Sequence, residues 1–182
     1  MQAIFSHRLN VTSSPLYHRR LLKEPNALID IIPFQPRHRQ AFKRLNLEWL
    51  EKYFHVEPID HDILSRPAAI LRQGGAILLA RHGKRLIGTC ALLKDGDSRY
   101  ELSKMAVTAA YQGSGIGRRL LMAAIQTYEA KVGTELFLET NSALKPAIHL
   151  YQSVGFVHAT RPATPAHYTR ADVYMVYRPE RA

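Results

Sequence analysis

Apolar positions change their spacing several times along the chain, and each change predicts a different element. Ala27-Leu28-Ile29-Asp30-Ile31-Ile32 is a short apolar run that predicts a first strand. After Pro36, the residues Phe42, Leu45, Trp49 and Tyr53 recur at intervals of three and four, the stripe of an amphipathic helix over 36–54, with Pro36 suited to its first turn. Residues 60–64 predict a brief helical segment before Pro67. Residues 75–81 and 86–93 are apolar runs separated by His82-Gly83-Lys84-Arg85, the signature of a hairpin. Asp95-Gly96-Asp97 then turns the chain into a third strand over 100–107, which completes a meander.

Residues 115–132 carry the strongest helical pattern, with Ile116, Leu120, Ala124 and Tyr128 on one face and Gly133 as terminator. A strand over 136–140 follows. Pro146 opens a short helix bearing Ala147, Leu150, Tyr151 and Val154, and Gly155 closes it. Two further strands are predicted over 156–160 and 172–177. The order predicts an α/β fold with a central mixed sheet of six to seven strands flanked by helices.

At 182 residues and 46% apolar content the chain suits one domain with one core. The texture breaks near Pro25, so residues 1–27 are expected to be a basic, flexible N-terminal extension and residues 28–182 a single domain. The formal charge is +10, and with four bases and one acid in the first 28 residues, +7 of it belongs to the remainder. Such a charge suits an anionic partner, whether nucleic acid, membrane surface or phosphorylated small molecule. Cys90 is the only cysteine, which excludes an intrachain disulfide and a multi-cysteine zinc site. No apolar run approaches the roughly 18 residues that span a bilayer. The expectation is a cytoplasmic protein without membrane contact. His55 and His61, with Asp60 and Asp62, have no recognised metal spacing, and no metal is expected.

The chemistry concentrates in Gln112-Gly113-Ser114-Gly115-Ile116-Gly117, which leads from a strand directly into a helix. Free main-chain N–H groups and the positive end of the helix dipole then converge on one point suited to a phosphate, and Arg118 and Arg119 add charge nearby. A Walker A loop is excluded, because no two glycines five positions apart are followed by Lys and then Ser or Thr. The dinucleotide fingerprint is excluded too: the position where its third glycine should fall holds Arg118 or Leu120, depending on the starting glycine.

The loop resembles that of the GNAT superfamily of N-acetyltransferases, which reads Gln or Arg, two residues, Gly, one residue, then Gly or Ala. Gln112, Gly115 and Gly117 match. The family's upstream strand ends in an apolar-x-Val step, here Met105-Ala106-Val107, and its later short helix reads Ala-x-x-Leu-Tyr-x-x-x-Gly-Phe, here Ala147, Leu150, Tyr151, Gly155 and Phe156. The resemblance covers residues 29–178 and implies the GNAT acyl-CoA N-acyltransferase fold. It implies an acyltransferase that moves an acetyl group from acetyl-CoA to a primary amine of a small molecule or peptide, by direct attack in a ternary complex.

Carried residue by residue, the resemblance places the CoA pyrophosphate on the main chain of Gly113, Ser114, Gly115, Ile116 and Gly117, beside Gln112 and Arg118. It places the pantetheine arm along the main chain of Met105, Ala106 and Val107, where an N–H can serve as oxyanion donor. Tyr151 takes the position of the phenol that hydrogen-bonds the CoA sulfur and protonates the thiolate. Many members have an asparagine seven residues before this tyrosine, where Leu144 stands here, so Asn141 becomes the candidate for that contact.

A lysine-like amine needs a proton acceptor, since its pKa of about 10.4 leaves it almost wholly charged at neutrality. Glu101 has even spacing to Met105 and Val107, so an unbroken strand puts it on their face; Glu139 ends the following strand. Both are candidate bases. Trp49, Tyr53 and Phe54 are candidate acceptor-pocket residues, with Glu57, Tyr168 and Arg170 as further candidates. Cys90, inside an apolar strand, reads as core. The expected partners are acetyl-CoA and an amine, with nucleic acid disfavoured for want of a basic-aromatic motif and a homodimer left open. Two alternatives stand: a catalytically silent acyl-CoA-binding regulatory domain, and an acetyltransferase acting on protein or aminoacyl-tRNA.

Overall fold

The computed structural model of the chain describes residues 29–163 and 166–179. The expected extension over 1–27 lies outside the described residues. Strand β1 (Ile29–Pro33) leads through a short 3₁₀ turn (Pro36–His38) into helix α1 (Arg39–Tyr53). The single predicted helix is thus divided, and the ring of His38 marks the step by accepting the Gln35 N–H at 3.1 Å. Helices α2 (Pro58–Ser65) and α3 (Pro67–Arg72) follow. Pro67, which follows the predicted helical segment, starts α3, because a first-turn residue has no intrahelical use for an N–H.

Strands β2 (Ala76–His82), β3 (Arg85–Asp95) and β4 (Arg99–Val107) form the expected meander. Helix α4 (Ile116–Glu129) then crosses to β5 (Glu135–Thr140), α5 (Lys145–Gln152) follows, and β6 (Phe156–His158) and β7 (Val173–Tyr177) close the sheet. The sheet has seven strands in the order β1-β2-β3-β4-β5-β7-β6. Only β4 and β5 run parallel, which is why a helix must connect them.

Two apolar layers sandwich the sheet. On one face Leu120, Leu121 and Ala124 of α4 pack on Cys90, Leu92, Leu136 and Leu138. On the other, Phe42, Leu45 and Leu50 of α1 and Leu64 of α2 cover Ile77, Leu79 and Ala91. The continuous apolar runs read from the sequence therefore feed both layers, as a sheet covered on two faces requires. No helix of the described residues is long and apolar enough to cross a membrane.

Two irregularities in the centre of the sheet create the site. β4 and β5 pair only at Arg99↔Glu135, Tyr100↔Leu136 and Glu101↔Phe137, although β4 continues to Val107 and β5 to Thr140. Beyond Glu101 the strands diverge, and the facing edge of β4 has no strand partner. In addition, β4 carries an extra residue against β3: Thr89 pairs with Ala106, yet Ala91 pairs with Ser103. Lys104 sits in this bulge with φ +52, in the left-handed region.

Candidate active site

A cleft of about 650 Å³ follows the divergence of β4 from β5, from the start of α4 on one face of the sheet to the α1–α2 layer on the other. The α4 end is made chiefly of main chain. Gly113 and Gly115 have φ of +75 and +81, and a Cβ on either would meet nothing within 4 Å, so the loop holds itself open on the cleft side. Gly115 is the N-cap of α4 and supplies no side-chain cap. The first-turn N–H groups therefore point outward without a side-chain acceptor, the arrangement that binds an anion at a helix start. These donors fit the pyrophosphate of CoA.

The neighbours of the loop divide into residues that face the cleft and residues that brace it. Gly117 is close-packed: a Cβ there would lie 3.3 Å from Leu150 and 3.5 Å from Met105. Gln112 donates its side-chain amide to the Val107 carbonyl at 2.9 Å, tying the loop to the end of β4. The Ser114 hydroxyl donates to the Tyr111 carbonyl, and Ile116 is buried in the core, so only their main chain is available to a ligand. Arg118 lines the cleft and donates to Ser153 at 2.8 Å. Arg119 turns the other way and donates to the Ile29 carbonyl of β1.

Met105, Ala106 and Val107 form one wall of the middle section, with Ala147, Leu150 and Tyr151 of α5 opposite. Tyr151 is half-buried between the Phe156 ring, 6.0 Å away, and the α4 layer. Burial, with Cys90 nearby, pushes its phenol up to about 12. A phenol in that state keeps its proton through neutrality and beyond, and so offers a hydrogen bond rather than a labile proton. Cys90 itself is wholly enclosed, and burial pushes its thiol up to about 12, consistent with a core residue. Asn141 lines the cleft, but its side chain is committed: its amide donates to the Arg170 carbonyl at 2.7 Å and its oxygen accepts the Ala143 N–H at 2.9 Å.

The far end is built from side chains. Trp49 stands 5.5 Å from both Tyr53 and Phe54, and all three line the cleft. Against them lies an ionic cluster that the sequence reading did not assemble. Asp60, fully buried, accepts from Lys104 Nζ at 2.6 Å and from both terminal nitrogens of Arg170 at 2.8 and 3.0 Å. Burial raises the Asp60 carboxyl, but the bonds from Arg170 and Lys104 outweigh it and hold the group below the usual carboxylate range. Burial likewise dominates at Lys104 and lowers its ammonium, although the bond to Asp60 opposes it. Tyr168 receives a bond from Lys104 at 3.0 Å and lies 3.1 Å from the Ser103 hydroxyl. Glu57 does not line the cleft. It accepts the Thr169 and Arg170 N–H groups and clamps the loop before β7 onto α2.

The two candidate bases sit differently from the sequence expectation. The bulge at Lys104 reverses the side-chain alternation along β4. Ser103 and Ala106 therefore share a face, since their partners Ala91 and Thr89 do, and Glu101 lies on that face, opposite Val107. Glu101 is buried and bonded to His167 Nδ1 at 2.8 Å. Glu139 lies along the cleft, with one oxygen accepting the His167 main-chain N–H at 2.9 Å and the other 3.3 Å from Arg161 Nε. His167, which the sequence reading did not single out, is where the two carboxylates meet. Among the described residues, no group of three or more His, Cys, Asp or Glu side chains could hold a metal.

Comparison with known proteins gives the same reading of the fold. The model of the acetyltransferase (GNAT) family matches residues 40–156. The N-alpha-acetyltransferase RimI of Mycobacterium tuberculosis is 33% identical over 102 residues, which cover 54% of this chain and 63% of that protein. The chain thus spans somewhat less than two thirds of this relative. Among solved structures, a GNAT acetyltransferase of Staphylococcus aureus superposes with a TM-score of 0.75 at 21% identity, covering 82% of this chain and 98% of that one. The PaiA N-acetyltransferase of Thermoplasma acidophilum, solved with coenzyme A, superposes with a TM-score of 0.65 at 17% identity over 82% and 98%.

Proposed function

The chain belongs to the GNAT family of acetyltransferases, and from that premise we propose that it transfers the acetyl group of acetyl-CoA to a primary amine within a ternary complex. One observation carries the reading: the uncapped, glycine-opened start of α4 and the unpaired edge of β4 lie in one continuous cleft. Acetyl-CoA supplies an acetyl group on a thioester whose thiol, with a pKa of about 8.5, is a good leaving group.

The chain's own groups divide the work. Main-chain N–H groups between Gly113 and Gly117 hold the pyrophosphate, with Arg118 at the rim. The open edge of Met105, Ala106 and Val107 takes the amide-bearing arm as an added strand, and a spare N–H there stabilises charge on the acetyl oxygen. Tyr151 donates a hydrogen bond to the sulfur as it becomes negative. Trp49, Tyr53 and Phe54 form the mouth through which the amine enters.

An α-amine is the acceptor class that the surroundings suit best. Asp60, Glu57, Glu101 and Glu139 are all engaged by Lys104, Arg170, Arg161 or His167, so none is spare to pair with the second charge of a polycation. An α-amine, with a pKa of about 8, also needs far less help to deprotonate than a lysine at about 10.4. A relative named as an N-alpha-acetyltransferase points the same way.

The test is thiol release from acetyl-CoA by the purified chain with peptide α-amines, lysine side chains and polyamines as acceptors. Peptide α-amines are expected to give the highest kcat/KM, and Tyr151→Phe to lower kcat by roughly 10- to 100-fold, the loss of one hydrogen bond to a group that is becoming charged. Tight binding of acetyl-CoA with no thiol release from any amine would instead identify a silent acyl-CoA-binding domain.

A further inference from the structure

Glu101 and Glu139 both end on His167, one on its ring and the other on its main chain. The Glu101 side chain is 3% exposed and that of His167 is 40% exposed, so the carboxylate is the buried member of the pair and the imidazole the accessible one. With Nδ1 bonded to Glu101, the lone pair of neutral His167 sits on Nε2, which takes no hydrogen bond from any described residue. The ring packs against Phe137 at 6.3 Å and Tyr168 at 6.4 Å, which fixes its plane. Tyr168 lines the cleft, as do Ser103, 3.1 Å from its hydroxyl, and Glu139; His167 is not itself a lining residue, but it adjoins this wall through Tyr168 and through the bond from its main chain to Glu139.

We propose that His167, aimed by Glu101 and pinned through its main chain by Glu139, is the group that takes the proton from the acceptor amine, relayed to it by water. Glu101 and Glu139 are then positioning residues, and neither touches the amine. The assignment rests on the acetyltransferase reading above. In the balanced step, the C–N bond forms as the C–S bond of the thioester breaks. One proton of the ammonium goes to His167 Nε2 and on to solvent; a second leaves the nitrogen for the sulfur, assisted by the Tyr151 hydroxyl.

The charged groups around the ring define its titration. Glu101 bonds it from β4, and Asp95 and Glu139 act on it from β3 and β5. The hydrogen bond that Nδ1–H donates to Glu101 leads, burial opposes it, and the imidazole is held above its ordinary value of 6.5. Arg161 faces Glu139, while Lys104 and Arg99 flank Glu101 and Phe137. A base that must be neutral therefore becomes competent only as the pH rises through a value above 6.5.

The experiment compares wild type, His167→Gln, Glu101→Gln and Glu139→Gln by kcat/KM for one amine between about pH 5.5 and about pH 9, each divided by wild type so that the amine's own ionisation cancels. For His167→Gln the ratio is expected to fall with rising pH, to roughly 10⁻² at the alkaline end. For Glu101→Gln the acid limb is expected to survive but move to lower pH, because loss of the carboxylate returns the imidazole toward 6.5. A ratio for His167→Gln that is flat with pH overturns the proposal. So does loss of the limb in Glu101→Gln or Glu139→Gln, which would make that carboxylate the base itself. Nitrogen NMR of histidine-labelled protein gives a readout independent of turnover: His167 is expected to be the Nδ1–H tautomer when neutral and to titrate lower in Glu101→Gln, and an unchanged titration overturns the pairing. Acetyl-CoA affinity within about twofold of wild type checks that each variant is folded. A wild type that binds acetyl-CoA but acetylates no amine sinks the acetyltransferase reading and this assignment together, whereas turnover with an unchanged His167→Gln profile sinks the assignment alone.

Discussion

At the α4 end of the cleft the groups on offer are main-chain N–H groups from a loop of six consecutive residues, Gln112 to Gly117; at the α2 end they are side chains from Asp60, Lys104 and Arg170, with up to 110 residues between partners. The first construction needs glycines and a helix start, which local sequence specifies completely. The second depends on long-range packing, because Asp60 has no reason to be buried until Lys104 and Arg170 reach it. The difference suggests a division of labour: the end expected to hold acetyl-CoA is made from conformation, and the end expected to receive the amine is made from charge. The two halves should then fail separately.

The largest separation is expected at Asp60. Its carboxylate is fully buried and neutralises two cations, so Asp60→Ala leaves Lys104 and Arg170 without their partner and should destabilise the fold by about 3–5 kcal/mol, measured by denaturant unfolding. The pH dependence has a definite sign. Because the folded carboxyl is depressed, its contribution is fully present above the ordinary carboxylate pKa and is lost as the pH falls through the lower folded value. Removing Asp60 should therefore flatten the acid end of the stability profile. The molecules that remain folded should bind acetyl-CoA almost normally; a collapse of that affinity would show that the two ends form one mechanical unit.

A smaller effect, expected at the other end, comes from Gly115→Ala. The open surroundings admit a methyl group, so the penalty is conformational, about 1–2 kcal/mol for a residue held at φ +81. Most of it should be felt as the loop relaxing away from its ligand-ready shape, giving an acetyl-CoA affinity roughly tenfold weaker by calorimetry with the acceptor KM unchanged. A stability loss as large as that of Asp60→Ala would mean that the loop is part of the folding core and not a surface device.

The same contrast explains which parts of the molecule could be read in advance. The period changes located the strands and helices, since each element buries a face of its own and advertises it locally. Gln112, Gly115 and Gly117 were legible because a loop entering a helix is a local event. Glu101 was assigned the wrong face because the bulge at Lys104 inserts one residue into β4, and a lysine at positive φ gives no sign in the sequence that it will adopt that conformation. Lys104 was not singled out, because its partner Asp60 is 44 residues away on another element. His167 was hidden for a similar reason: its meaning comes from Glu101, 66 residues earlier, and from nothing in its own neighbourhood.

The smallest expected effect tests whether the α4 end is as purely conformational as its glycines suggest. Gln112 is the motif residue with a side chain, and that side chain touches the Val107 carbonyl and not the empty side of the loop. If its task is to tie the loop to β4, Gln112→Ala should cost only the net value of one exposed hydrogen bond, about 0.5–1.5 kcal/mol, and weaken acetyl-CoA binding about two- to tenfold without altering the pH profile of turnover. Gln112→Glu removes the donor as well and sets a carboxylate beside the Val107 carbonyl, so it should be no better than alanine, and worse if the added charge reaches the pyrophosphate. Recovery of full affinity in Gln112→Glu would mean that the side chain does not act through that carbonyl. An effect on acceptor KM in place of acetyl-CoA affinity would mean that the end of β4 transmits strain across the bulge to Lys104 and Asp60, which would join the two halves through the one strand they share.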